Sequence, residues 1–246
     1  MRRLGFVLCG LGLLVLAWAA IAVVWGDPVS ALYTRHEQAA LSARLETVER
    51  DWNVGRPVHP ASAPAAWQAA ILRFRRSLEP GDPVGRIVIP RIGLDMVVVE
   101  GTGSAQLAKG PGHYDAATAR ATSLPGLGGV IAIAGHRTTF LHPFLHIDEL
   151  ARGSTVTLVM PYGRFVYRVI AHRVVVPTDW SILRRRPFEE LVLTACHPKY
   201  SASHRYVVFA RLVRAVPYLR SGSARPPVVS TAAGGGLAWI AMKAPR

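Results

Sequence analysis

From Pro83 onward the chain is a succession of short β-branched runs broken by glycine and proline, and this pattern limits the folds open to it. The expected strands are residues 85–89, 96–100, 129–134, 155–160, 164–176, 191–194 and 205–213. Pro161-Tyr162-Gly163 separates two alternating runs and reads as a hairpin turn. Phe165, Tyr167 and Val169 then share one face of the second run. So many strands, with few helix-length patterns among them, form a closed barrel or a sandwich with its own core.

Upstream the pattern differs. Arg2 and Arg3 precede an uncharged run over 4–25, whose 22 residues form a helix of about 33 Å, enough to cross a bilayer core of roughly 30 Å. The run is longer than the apolar region of a cleaved signal peptide. It predicts a single-pass signal-anchor over 1–26. Positive charge at Arg2 and Arg3, against Asp27 on the far side, predicts a cytoplasmic N-terminus and an extracytoplasmic remainder. Residues 27–80 are rich in Ala, Leu, Arg and Glu, are interrupted by Pro57, Pro60 and Pro64, and read as a helical stalk. Two readings stay open for it: a spacer off the membrane, or helices packed on the domain. The β domain covers 81–216, and the Gly/Ser/Pro-rich segment 217–246 reads as a mostly disordered tail.

Half of the 246 residues are hydrophobic and 18% are charged, which excludes both a disordered chain and a polytopic membrane protein. The formal net charge is +14. The β domain shares it, with its densest cluster at Arg184-Arg185-Arg186. No interleaved aromatic–basic motif accompanies this charge, so no nucleic-acid partner is expected. An anionic surface suits it, and so does plain solvation.

The two cysteines, Cys9 and Cys196, exclude a disulfide scaffold and a four-cysteine zinc site. Cys9 lies in the apolar run, which leaves Cys196 unpaired outside the cell, where thiols tend to oxidise. A buried thiol is commonly an inert small hydrophobe. Cys196, however, ends an apolar strand and precedes His197-Pro198, where a reactive group is carried on a rigid support. A thiol needs a neighbouring charge or imidazole to act as a nucleophile at neutral pH. If 191–195 and 206–210 are adjacent antiparallel strands, Arg205 faces Cys196 and can hold an oxyanion, though it cannot act as a base. Among nine histidines, His136 ends another apolar strand after Gly135 and is the expected partner. His142 and His146, with Asp148 and Glu149 nearby, are interrupted by Pro143; no metal and no organic cofactor are expected.

An apolar N-terminus, a β domain, a strand ending Gly-His, a strand ending in Cys, and an Arg nine residues later together resemble the sortases, cysteine transpeptidases of Gram-positive surfaces. The resemblance covers about residues 82–216. GHRTTF at 135–140, Pro143-Phe144, Asp148-Glu149-Leu150 and LTACHPKYSASHRYVVFARL at 193–212 are most similar to class E of actinobacteria. It implies a mainly β fold, a closed eight-stranded barrel with short helices, and one groove lined by Cys196, His136 and Arg205. It also implies cleavage of an LAxTG- or LPxTG-type sorting signal between Thr and Gly, and transfer of the surface protein to an amine of a peptidoglycan precursor. A monomer is expected. Tyr114, within GPGHY at 110–114, and Thr194, Ala195 and His197 around the nucleophile are the expected substrate contacts. The family's TLxTC pattern is here Val192-Leu193-Thr194-Ala195-Cys196, so Val192 and Ala195 stand in place of two threonines. A pilus-assembling enzyme, a cysteine hydrolase and a non-catalytic binding barrel remain as alternatives.

Overall fold

A computed structural model describes residues 2–25, 28–54, 63–115, 122–218, 228–231 and 237–240. Strands β1 (Pro83–Ile89), β2 (Leu94–Glu100), β3 (Gly112–His113), β4 (Val130–Gly135), β5 (Thr155–Met160), β6 (Gly163–Val175), β7 (Glu190–His197) and β8 (His204–Pro217) form one sheet. Its order is β8-β6-β5-β1-β2-β3-β4-β7, and β7 pairs back onto β8. That last pairing closes an eight-stranded barrel. The β5–β6 hairpin turns at Pro161 and Tyr162, with Met160 opposite Gly163.

The barrel interior follows the period of two. Ile131 and Ile133 of β4, Leu191, Leu193 and Ala195 of β7, and Val208, Ala210 and Leu212 of β8 all enter the main core. The intervening residues Val130, Ala132, Val192, Val207 and Phe209 form a second apolar cluster on the outer face, under Ile182 and Leu183.

Helices α1 (Arg2–Trp25), α2 (Pro28–Val54) and α3 (Ala63–Ser77) precede the barrel. Among the described residues no helix is long and apolar enough to cross a membrane. The side chains from Trp18 to Trp25 of this helix lie outside the described residues. Of the two readings open for 27–80, packing on the domain is the one seen. Trp67, Ile71 and Phe74, at i, i+4 and i+7 along α3, are buried in the main core. Burying a side chain such as Ile71 or Phe74 contributes roughly 1.5–3 kcal/mol. Trp67 Nε1 donates to Tyr162 O at 2.9 Å, and its ring stacks on Phe165 at 5.9 Å.

Helix α2 covers the free edge of β2. Leu41 and Leu45 pack with Val97 and Val99. The Gln38 side chain accepts from Val97 N at 2.8 Å and donates to Val97 O at 3.0 Å and Lys109 O at 2.8 Å, acting as one link of a missing strand.

Beyond Tyr218 the structure describes two short strands. Strands β9 (Val228–Thr231) and β10 (Leu237–Ile240) extend the sheet, β9 pairing with Arg214 and Ala215 of β8. Strand β7 stops pairing at Arg211, which leaves that edge of β8 open to a β-branched run.

Candidate active site

Two strand pairings fix the site. β4 and β7 run parallel in unbroken register from Val130↔Glu190 to Gly135↔Ala195, so His136 and Cys196 follow at the next position. Neighbouring strands lie about 4.8 Å apart. β7 and β8 are antiparallel with Cys196 opposite Arg205. Parity then settles the faces. His136 continues the Val130–Ala132 series, Cys196 the Val192–Thr194 series, and Arg205 the Val207–Phe209 series. All three series belong to the outer face, so the three residues share one side of the sheet, each half-buried.

His136 is held from its own loop. Its carbonyl accepts from Phe144 N at 3.0 Å, and its ring lies 5.1 Å from that of Phe140. Phe140, Leu141 and His142 are all left-handed, with φ of 51°, 59° and 37°. Such conformations cost non-glycine residues about 1–2 kcal/mol each and mark a loop held in shape by its surroundings. Burial lowers the His136 pKa, so its imidazole is neutral at pH 7 and able to take a proton. Arg205 Nη1 donates to Ala202 O at 2.9 Å and His204 O at 3.0 Å, which docks the guanidinium on the β7–β8 connection. Its remaining N–H groups face no acidic partner among the described residues and are suited to an anion or carbonyl.

Tyr114 and Thr194 belong to the same side. Tyr114 Oη and Thr194 Oγ1 share a hydrogen bond of 2.8 Å. Burial pushes the Tyr114 phenol up; the Thr194 hydrogen bond and the Arg205 charge oppose it, and Cys196 adds to it. The other two expected contacts, Ala195 and His197, sit on the opposite face. Ala195 points into the barrel, 2% exposed and part of the core. His197 follows it on the inner side, since neighbours in a strand alternate faces. The Ala195 side chain is part of the core, so a threonine hydroxyl at that position would enter the core.

Three residues of this region were given no part in the site by the sequence: Arg137, Asp148 and Tyr206. Arg137 is 3% exposed. Its Nη2 pairs with Asp148 Oδ2 at 2.7 Å, its Nη1 donates to His197 Nδ1 at 2.9 Å, and its guanidinium lies 5.7 Å from the Tyr206 ring centre. Burial raises the Asp148 carboxyl, but its backbone hydrogen bond and Arg137 outweigh that and hold it below the ordinary value. Parity was the available signal, because 137, 197 and 206 each follow a groove residue by one.

A barrel of this topology with a thiol, an imidazole and a guanidinium at three adjoining strand ends is the pattern of a known class of enzyme. A model of the sortase domain matches residues 87–213, and the chain belongs to the sortase family. It is 34% identical to sortase D of Bacillus subtilis over 139 residues, covering 55% of this chain and 66% of that protein. It is 25% identical to sortase SrtE1 of Streptomyces coelicolor over 228 residues, covering 88% of this chain and 58% of that protein. The chain thus spans less than two thirds of the length of either relative. The structure of a Clostridium perfringens sortase D5 transpeptidase superposes with a TM-score of 0.56 at 23% identity, over 71% of this chain and 99% of that one, a likeness of fold.

Proposed function

We propose that this protein is a cysteine transpeptidase that cuts a C-terminal sorting signal of LAxTG or LPxTG type between Thr and Gly and passes the protein to an amine. One observation carries the reading: the unbroken β4–β7 and β7–β8 registers that bring positions 136, 196 and 205 to one face. In this mechanism His136 takes the Cys196 proton, and the thiolate adds to the Thr carbonyl carbon. Arg205 steadies the oxyanion. The C–N bond then breaks, the departing Gly amine takes the proton from His136, and a thioester remains on Cys196. An incoming amine attacks that thioester and gives its proton to His136, and Cys196 leaves as thiolate. Tyr114, held by the buried Thr194 hydroxyl, flanks the signal peptide.

The natural acceptor in this reading is an amine of a cell-wall precursor, and the donors are surface proteins. The uncharged run 4–25 anchors the protein in the membrane with its N-terminus cytoplasmic and the barrel outside. The GHRTTF and LTACHPKY segments favour class E.

Mass spectrometry tests the reaction on the full-length chain in detergent micelles, with LAxTG and LPxTG peptides and a glycine amine. The expected product is ligated peptide, lost in Cys196→Ala and strongly reduced in His136→Ala and Arg205→Ala. Hydrolysed peptide alone, with no ligation at any amine concentration, would make the enzyme a hydrolase instead. Peptide binding without turnover would leave only a binding barrel.

A further inference from the structure

The residues one step beyond the groove residues form a cluster on the reverse of the same strands, with Arg137 buried and His197 and Tyr206 half-buried. Arg137 follows His136, His197 follows Cys196, and Tyr206 follows Arg205. The His197 and Tyr206 rings lie 5.7 Å apart, and the Arg137 guanidinium lies 5.7 Å from the Tyr206 centroid. Arg137 joins this cluster through Nη1, which donates to His197 Nδ1 at 2.9 Å and reaches Cys196 O at 3.5 Å. Its other terminal nitrogen pairs with Asp148 on the short helix Ile147–Glu149.

We infer that Arg137 is a positioning residue for the transpeptidation, fixing the Cys196–His197 end of β7 against the His136 loop. The inference rests on the proposed reaction at Cys196 and His136. A guanidinium only donates, so in this contact His197 Nδ1 is the acceptor. It cannot exchange a proton with Cys196 through Nδ1, which leaves His136 as the imidazole for that task. Arg137 also raises a question of cost. A buried cation is expensive, and its Nε is buried with no partner among the described residues. An apolar side chain of similar length would suit a purely structural core better. What the arginine adds is a planar fork bonding two elements at once, with one arm behind the nucleophile and the other on the segment that follows the His136 loop. Asp148 is its counterion.

The test compares Arg137→Met, Arg137→Lys and Asp148→Asn in the full-length chain, reading peptide cleavage kinetics, melting temperature and the rate of Cys196 alkylation by iodoacetamide. Arg137→Met is expected to lower kcat at least tenfold with KM changed less than threefold. Arg137→Lys is expected to recover the melting temperature while kcat and alkylation rate stay several-fold low, since an ammonium cannot bridge Asp148 and His197 together. A folded Arg137→Met with kcat within twofold of the parent would overturn the inference. So would kcat recovering in step with melting temperature in Arg137→Lys. Should Arg137→Met not fold, kcat within twofold in both remaining variants overturns it as well. If the parent cleaves neither peptide, the proposed reaction fails by itself. Alkylation then decides the positioning role, with equal rates in the parent and Arg137→Lys counting against it.

Discussion

Tyr114 Oη lies 2.8 Å from Thr194 Oγ1, tying the segment after β3 to the groove side of β7 two residues before Cys196. Thr194 is only 2% exposed, so neither hydroxyl is readily replaced by water. Tyr114→Phe and Thr194→Val each strand one polar atom, at about 1–3 kcal/mol. The double variant Tyr114→Phe/Thr194→Val should cost less than the two added, with a coupling near 1 kcal/mol in urea denaturation. Strict additivity would show that the pair is not joined in solution.

Glu189 sits fully enclosed, accepting from Tyr167 Oη at 2.7 Å, Gly128 N at 2.9 Å and Gly126 N at 3.0 Å. Burial pushes it up to about 7, and these three bonds pull the other way. Glu190 is likewise pushed up to about 7 by burial, against the pull of Arg186. A carboxyl harder to ionise in the fold than in the unfolded chain stabilises at low pH, and that stability is lost as pH rises from about 4.5 through about 7. His136 and His142, both lowered by burial, act in the opposite sense on the acid side of neutrality. The informative quantity is therefore the difference between parent and variant. Glu189→Gln keeps an amide oxygen for the two glycine N–H groups, and it should flatten the fall in melting temperature between pH 5 and pH 8. An identical slope in both proteins would refute the assignment.

Gly135 is the last residue of β4 and supports the ring of Phe144; a Cβ there would fall 2.5 Å from Phe144 Cδ2. Gly135→Ala should displace Phe144, whose N–H bonds the His136 carbonyl. We expect a loss of about 1–3 kcal/mol from overpacking. Peptide cleavage should fall more than stability alone explains, because the same ring shapes the loop carrying His136. Gly135→Ala with parental melting temperature and activity would show that the loop yields freely.

Gln38 closes the open edge of β2 by bonding both backbone groups of Val97. Gln38→Ala leaves the Val97 N–H and the Lys109 carbonyl without that amide, at about 1–3 kcal/mol. Hydrogen exchange should quicken at Val97 before the rest of β2. Unchanged protection at Val97 would mean that another group takes the place of the Gln38 amide.

The barrel strands were readable as β-branched runs broken by glycine and proline; β6 alternates in burial, while β4 and β7 are apolar on both faces. Cys196 opposite Arg205 followed from the same logic, since nine residues separate them across one connection. The His136–Cys196 relationship is different in kind. It depends on a parallel pairing between segments sixty positions apart, which no local spacing reveals. β3 has two residues, too few for any pattern to show. The packing of α2 and α3 was left open because polar residues such as Gln38 carry it as much as apolar ones, and a side-chain amide bonding a strand edge has no sequence signature. Arg137 lay unremarked within the GHRTTF segment, and its contacts with Asp148, His197 and Tyr206 are what single it out.

The parallel contact between β4 and β7 has a consequence for the newly made chain. Pairings between distant segments are among the slowest to form. Until that pairing forms, the Cys196 sulfur has no His136 imidazole beside it, and the proposed reaction has no base. Chemical potency arrives with ring closure, so the tool is armed only after its housing is finished.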